Sequence, residues 1–156
     1  FGAGSWGTTI ANLLSEKGYS VRIWAKEKNV VSSINNKHIN ELYLKGIKLS
    51  KRLIASNEIE RLYDCDLFIN AIPTQYIKET FKNIKKLKDN TIIVSLSKGI
   101  EIDTFKRPSE ILSEIFKKDV YVLSGPNFAI EVATKKPTAT TIAGKDKKTR
   151  RSQKYT

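Results

Sequence analysis

The chain has 156 residues, 40% of them hydrophobic and 28% charged, with a formal charge of +12; that length builds one domain with a real core rather than two. A single cysteine, Cys65, excludes an internal disulfide, and no apolar run approaches the roughly 20 residues of a membrane-crossing helix. Without cystines, and without a basic-then-apolar leader, the sequence reads as a cytoplasmic protein.

The excess lysine is spread through every segment. It reads as a solvated surface rather than a nucleic-acid face, because no aromatic-basic interleaving accompanies it. There is no methionine at all, so Phe1 is expected not to be the natural start, and further residues are expected upstream.

In chain order, the first seven residues, "FGAGSWG", carry Gly2, Gly4 and Gly7 at G-x-G-x-x-G spacing. Residues 5–17 place Ile10, Leu13 and Leu14 at helical spacing, and Gly18 stops that helix. "YSVRIWA" alternates Val21, Ile23 and Ala25 as a strand does. A short helix is expected over 27–35 and a loop over 36–56 with one short strand near Leu53. Residues 57–63 read as a helical turn or two. "DLFINAIP" (66–73) and "TIIVSLS" (91–97) are apolar runs of buried parallel strands. Helices are expected over 74–88 and from Pro108 to about Lys118. "VYVLS" (120–124) is a strand, "GPNFAIEVATKK" a helix, and "PTATTIAG" (137–144) a last strand. Strands alternate with helices, so the class is α/β with a largely parallel sheet. Residues 145–156 lack apolar periodicity and read as a basic, disordered tail. Cys65 reads as a buried structural thiol and His38 as a loop residue. With one histidine, neither a His triad nor a His metal site is available, and no metal is expected.

The glycine loop has a specific physical reading. Gly2 permits a tight turn, Gly4 leaves room for a pyrophosphate to approach the backbone, and Gly7 lets the helix pack closely. The helix start then offers free N–H groups and partial positive charge to phosphates. At the end of the following strand, Lys26 stands where a basic residue favours the 2′-phosphate of NADPH over NADH. Ligands of open α/β sheets sit beyond the carboxyl ends of the strands. There the sequence places "AIPTQ" (71–75), Lys98 in "LSKGI", and Gly125 and Asn127 in "LSGPNFA". An ammonium at Lys98 faces a phosphate or polarises a carbonyl.

"GAGSWGT", "RIWA", "SKGIE", "SGPNFAIEVA" and "PTA", in that order and spacing, resemble bacterial NAD(P)-dependent glycerol-3-phosphate dehydrogenase from Phe1 to about Gly144. The resemblance implies a Rossmann-like, doubly wound, mostly parallel sheet over 1–144, with its first strand missing before Phe1. It implies interconversion of dihydroxyacetone phosphate and sn-glycerol 3-phosphate for glycerophospholipid synthesis, and a homodimer for the longer protein. Carried over by motif, Gly2, Gly4, Ser5, Trp6, Gly7, Lys26, Lys98 and Ala129 contact the cofactor, while Lys98, Gly125 and Asn127 contact the phosphorylated substrate. Lys98 is also the implied catalytic residue. The family often has serine or threonine at the position of Asn127. Family members continue into a helical substrate domain holding a second catalytic lysine, so this chain is expected to be truncated, by a shifted reading frame, and to have little or no activity. Its docking face is expected to expose apolar surface. Two competing readings are a non-catalytic dinucleotide-binding module and a reductase of the same cofactor fold whose substrate lacks a phosphate. A basic nucleic-acid binder is the third.

Overall fold

A computed structural model describes residues 1–84 and 86–145. The apolar runs without alternation form the centre of the sheet. β5 (Leu67–Asn70), β6 (Ile92–Ser95) and β7 (Val120–Ser124) are parallel, and β8 (Thr141–Ala143) closes the edge antiparallel to β7. α4 (Pro108–Phe116) links β6 to β7. Pro108 opens it, and the Glu110 carboxylate accepts the Arg107 backbone N–H at 2.9 Å, satisfying one of the donors that a helix start leaves free. Lys117, at φ 54°, ends it in the left-handed region. Phe68, Phe81, Ile93, Ile111 and Leu112 are fully buried between this sheet and its helices.

The N-terminal half is built differently. α1 (Ser5–Glu16) leads to β1 (Arg22–Trp24), which pairs in parallel with β4 (Ile54–Ser56). Between them come α2 (Lys28–Ser32), a wide π turn over Ser33–Lys37, and an antiparallel pair of β2 (Ile39–Asn40) and β3 (Leu44–Lys48). Ala11, Ile23, Ala25, Val30, Ile34 and Leu53 form this half's core.

The two halves meet at the first residue. The Phe1 amine donates to Ile69 O at 2.6 Å and Phe1 O accepts Ala71 N–H at 2.8 Å, the bond pair of a parallel ladder in register with Asn70. Gly2 N–H then donates to Trp24 O at 3.1 Å on the β1 side. The chain start therefore occupies the end of a lane between β1 and β5, and the Phe1 ring stacks on Phe68 with centroids 4.3 Å apart.

Four expectations change. Residues 36–56 hold the β2–β3 hairpin and β4, not a loop with one strand. The 74–88 helix is a 3-10 turn over Thr74–Tyr76 and α3 (Ile77–Phe81) only. Ile84 and Leu87 are still buried, so their helical spacing reports a shared side rather than a continuous helix. The 125–136 helix shrinks to α5 (Ala129–Ala133). The 27–35 helix continues as the π turn, and His38, at φ 55°, lies just beyond it in the non-helical link to β2, as a loop residue. The expected basic tail over 145–156 lies, from residue 146 on, outside the described residues. No helix among the described residues is long and apolar enough to cross a membrane.

Candidate functional site

The glycine loop is fixed by main-chain packing. Gly2 has φ 101°, and a Cβ there would stand 2.8 Å from Ala71 O. A Cβ on Gly7 would fall 1.9 Å from Gly2 O, so only glycine lets α1 close on the turn. Gly4 differs: a Cβ there would meet nothing within 4 Å. Its open side lies at the start of α1, which has no side-chain cap and no acidic residue in its first turn. Free N–H groups and the helix dipole there suit an anion.

A buried polar strut holds the loop from behind. Asn40, fully buried, donates from Nδ2 to Ala3 O at 2.9 Å and to Thr8 Oγ1 at 2.8 Å. Thr8 Oγ1 in turn donates to Ala3 O at 3.1 Å. Ser5 is exposed, and its hydroxyl donates to Tyr43 O. The β2–β3 hairpin thus braces the loop, although no sequence signal marks it. Asn40 looks like a loop residue until its burial is seen.

At the sheet's carboxyl edge three loops converge. Asn70 Nδ2 donates to Ser97 Oγ at 2.8 Å, and Ser97 Oγ donates to Ile72 O at 2.5 Å. Thr74 Oγ1 donates to Lys98 O at 2.6 Å. Gln75 grips the next residues with both ends of its amide: Nε2 donates to Ile100 O at 2.9 Å and Oε1 accepts Ile102 N–H at 3.1 Å. Below them the buried Glu101 carboxylate accepts from Lys78 Nζ at 2.6 Å and from the Thr104 hydroxyl, and these bonds hold its pKa below the usual range. Lys98 is left exposed with Nζ 3.4 Å from Gly125 O.

These loops and α1 enclose a cavity of about 340 Å³ lined by Trp6, Pro73, Lys98, Asn127, Phe128 and Ala129, among others. Ala129 O accepts from Thr9 Oγ1 at 3.2 Å, tying α5 to α1. Asn127 Oδ1 is buried and has no hydrogen-bond partner. Of the sequence-predicted residues, Trp6, Lys98, Asn127 and Ala129 share this cavity, Gly125 joins it through Lys98, and Gly2, Gly4, Ser5 and Gly7 form the loop beside it. Lys26 stands apart, exposed just beyond β1. Its neighbour Glu27 is engaged by Tyr43 Oη at 2.9 Å, and that bond pushes the Tyr43 hydroxyl pKa up. Missed at the sequence level were Asn40, Gln75 and Glu101 as supports and Phe128 as a wall. "AIPTQ" and "SKGIE" marked the right loops, but nothing in them says that they hydrogen-bond to each other.

The family model for the NAD-dependent glycerol-3-phosphate dehydrogenase N-terminus matches residues 1–150. The chain belongs to that family. It is 43% identical over 148 residues to a protein of Citrifermentans bemidjiense named glycerol-3-phosphate dehydrogenase (NAD(P)+), covering 91% of this chain and 44% of that protein. A protein of the same name from Thermotoga sp. strain RQ2 is 44% identical over 147 residues, covering 94% and 44%. The solved glycerol-3-phosphate dehydrogenase of Plasmodium falciparum superposes with a TM-score of 0.87 at 30% identity, over 96% of this chain and 46% of that one. The enzyme from Coxiella burnetii does so with a TM-score of 0.86 at 28% identity, over 96% and 46%. The fold is therefore the Rossmann type expected, and the chain spans about 44% of the length of the curated relatives it matches.

Proposed function

We propose that residues 1–144 are the dinucleotide-holding part of a glycerol-3-phosphate dehydrogenase. The observation that carries this reading is the meeting of an uncapped α1 start, the open side of Gly4 and the Lys98–Asn127 cavity at one sheet edge. The residues fit a dinucleotide. Gly4 leaves its backbone approachable, the first N–H groups of α1 can donate to a pyrophosphate, and the orphaned Asn127 Oδ1 awaits a donor. A bound nicotinamide would supply or accept hydride at the keto carbon of dihydroxyacetone phosphate. Lys98 contributes positive charge to the substrate oxygen as it becomes an alkoxide, and Trp6 and Phe128 exclude water from the cavity. Gly125 and Asn127 orient the substrate. Lys26 favours NADPH by meeting the 2′-phosphate, since Glu27 is occupied by Tyr43.

The proposal includes a cytoplasmic protein, a homodimer for the longer protein, and no nucleic-acid partner. It also holds that the 156-residue chain binds nucleotide without turning over dihydroxyacetone phosphate. Titration of the chain with NADPH and NADH, followed by Trp6 fluorescence, tests it. Saturable binding that favours NADPH, with the preference lost in Lys26→Glu, is expected. No saturable binding of either nucleotide overturns it.

A further inference from the structure

Tyr43 joins two parts of the molecule that border the glycine loop from different sides. Its backbone is held at the loop: the Ser5 hydroxyl donates to Tyr43 O, and Tyr43 N–H donates to Asn40 Oδ1 at 3.2 Å. The same Asn40 side chain holds Ala3 O and Thr8 Oγ1, so Tyr43 is fixed by the strut that fixes the loop. Its side chain runs to the end of β1, where the hydroxyl donates to Glu27 Oε1 at 2.9 Å. Tyr43 therefore spans from the start of α1, where a pyrophosphate would sit, to the residues just past β1, where the ribose of the same nucleotide would lie.

α2 starts directly after Glu27, yet the Glu27 carboxylate makes no capping bond to it. Among the described residues its hydrogen-bond partner is Tyr43. The carboxylate favours the protonated hydroxyl and pushes the Tyr43 pKa up, so the group stays a donor. Lys26, one residue earlier, is exposed and has no side-chain hydrogen bond or ion pair among the described residues. Two charges of opposite sign stand side by side at the ribose end, and only the negative one is tied down. That asymmetry has a chemical meaning. A ribose 2′-hydroxyl donates to a carboxylate, whereas a 2′-phosphate is repelled by it and drawn to an ammonium.

We propose that Tyr43 is a specificity-determining residue for the 2′ position of the nucleotide: it holds the Glu27 carboxylate aside and leaves Lys26 to meet a 2′-phosphate. The inference rests on the dinucleotide reading above and adds to it the residue that decides between the two cofactors. Discrimination of this kind comes from withdrawing a repulsion as much as from supplying an attraction. The role needs the Tyr43 hydroxyl and not only the ring. Without that donor the carboxylate is free to turn to the ribose and accept from the 2′-hydroxyl of NADH.

The test titrates the unmodified chain, Tyr43→Phe, Glu27→Gln and the double variant with NADPH and NADH by calorimetry, with urea midpoints to confirm that each is folded. Tyr43→Phe keeps the ring and removes only the donor. Its preference for NADPH over NADH is expected to fall at least fivefold, through weaker NADPH and tighter NADH binding. Glu27→Gln alone should keep the preference. Adding Glu27→Gln to Tyr43→Phe should restore it, because no carboxylate is left to be released. An unchanged preference in Tyr43→Phe overturns the inference, and so does an equal loss for both nucleotides, which would make Tyr43 a general contact. A fall that Glu27→Gln does not repair overturns the route through Glu27. Each of these outcomes, in a chain that binds nucleotide, leaves the dinucleotide reading standing. Failure of the unmodified chain to bind either nucleotide overturns that reading and this inference with it.

Discussion

The glycine loop and the Lys98 rim border the same cavity and are held in opposite ways. The loop is fixed by backbone against backbone, with Gly7 over Gly2 and a fully buried Asn40 as strut. The rim is fixed by side chains reaching across from one loop to another, and its outer surface is exposed. Phe105, Ile102 and Phe128 are among the most exposed large apolar residues described, at 75%, 70% and 70%. A site that must present main-chain donors to a phosphate gains from the first kind of support, because backbone packing leaves no alternative position. The second kind of support fixes the backbone of Lys98 through Thr74 while leaving its ammonium exposed. Exposed apolar residues stand on the rim side, where Phe128 borders the cavity and Ile100, Ile102 and Phe105 follow Lys98.

The largest effect that separates the two regions falls within the loop. Gly7→Ala forces a methyl onto Gly2 O and should cost about 3 kcal/mol, whereas Gly4→Ala, with open space around it, should change stability by about 0.5 kcal/mol or less yet weaken nucleotide binding. Equal destabilisation of both variants would erase the distinction between a packing glycine and an approach glycine. Asn40→Ala, which strands the buried Ala3 carbonyl and Thr8 hydroxyl on one side, should cost about 2 kcal/mol in urea melts. The rim should respond least. Gln75→Ala is expected to cost about 1 kcal/mol, but to speed hydrogen exchange of the Ile102 amide that it captures. Lys98→Met should leave stability within about 0.5 kcal/mol while weakening nucleotide binding. A large loss of stability in Lys98→Met would mean that the lysine holds the fold rather than serves the site.

The central strands were legible because β5, β6 and β7 are short, largely apolar runs without a helical period, and such runs have few other ways to fold. The hairpin over 39–48 was not. β2 is two residues long, β3 alternates only weakly around Gly46 at φ 78°, and their pairing depends on α1 and the glycine loop being in place. α3 misled in the other direction: Ile77, Phe81, Ile84 and Leu87 keep helical spacing after the helix has ended at Phe81. The glycine turn was legible because packing fixes the residue type at Gly2 and Gly7, and the strand-end motifs pointed to the loops that border the cavity. They were hidden where a common polar side chain acts through a distant partner, as Asn40 and Gln75 do. Cys65, expected to be buried, is half-buried because it borders the lane, and its partial burial still pushes the thiol pKa up.

The amide of Gln75 spans two turns of backbone, Ile100 and Ile102, as a neighbouring strand would. It extends the β5–β6 ladder beyond the last residue of either strand, in side-chain form. The sheet's register therefore does not fade at its carboxyl edge but is carried into the loop after Lys98. The stretch from Lys98 to Ile102 is thus stitched to the turn before α3 at four successive points, by Thr74 at Lys98, by Gln75 at Ile100 and Ile102, and by Lys78 at Glu101.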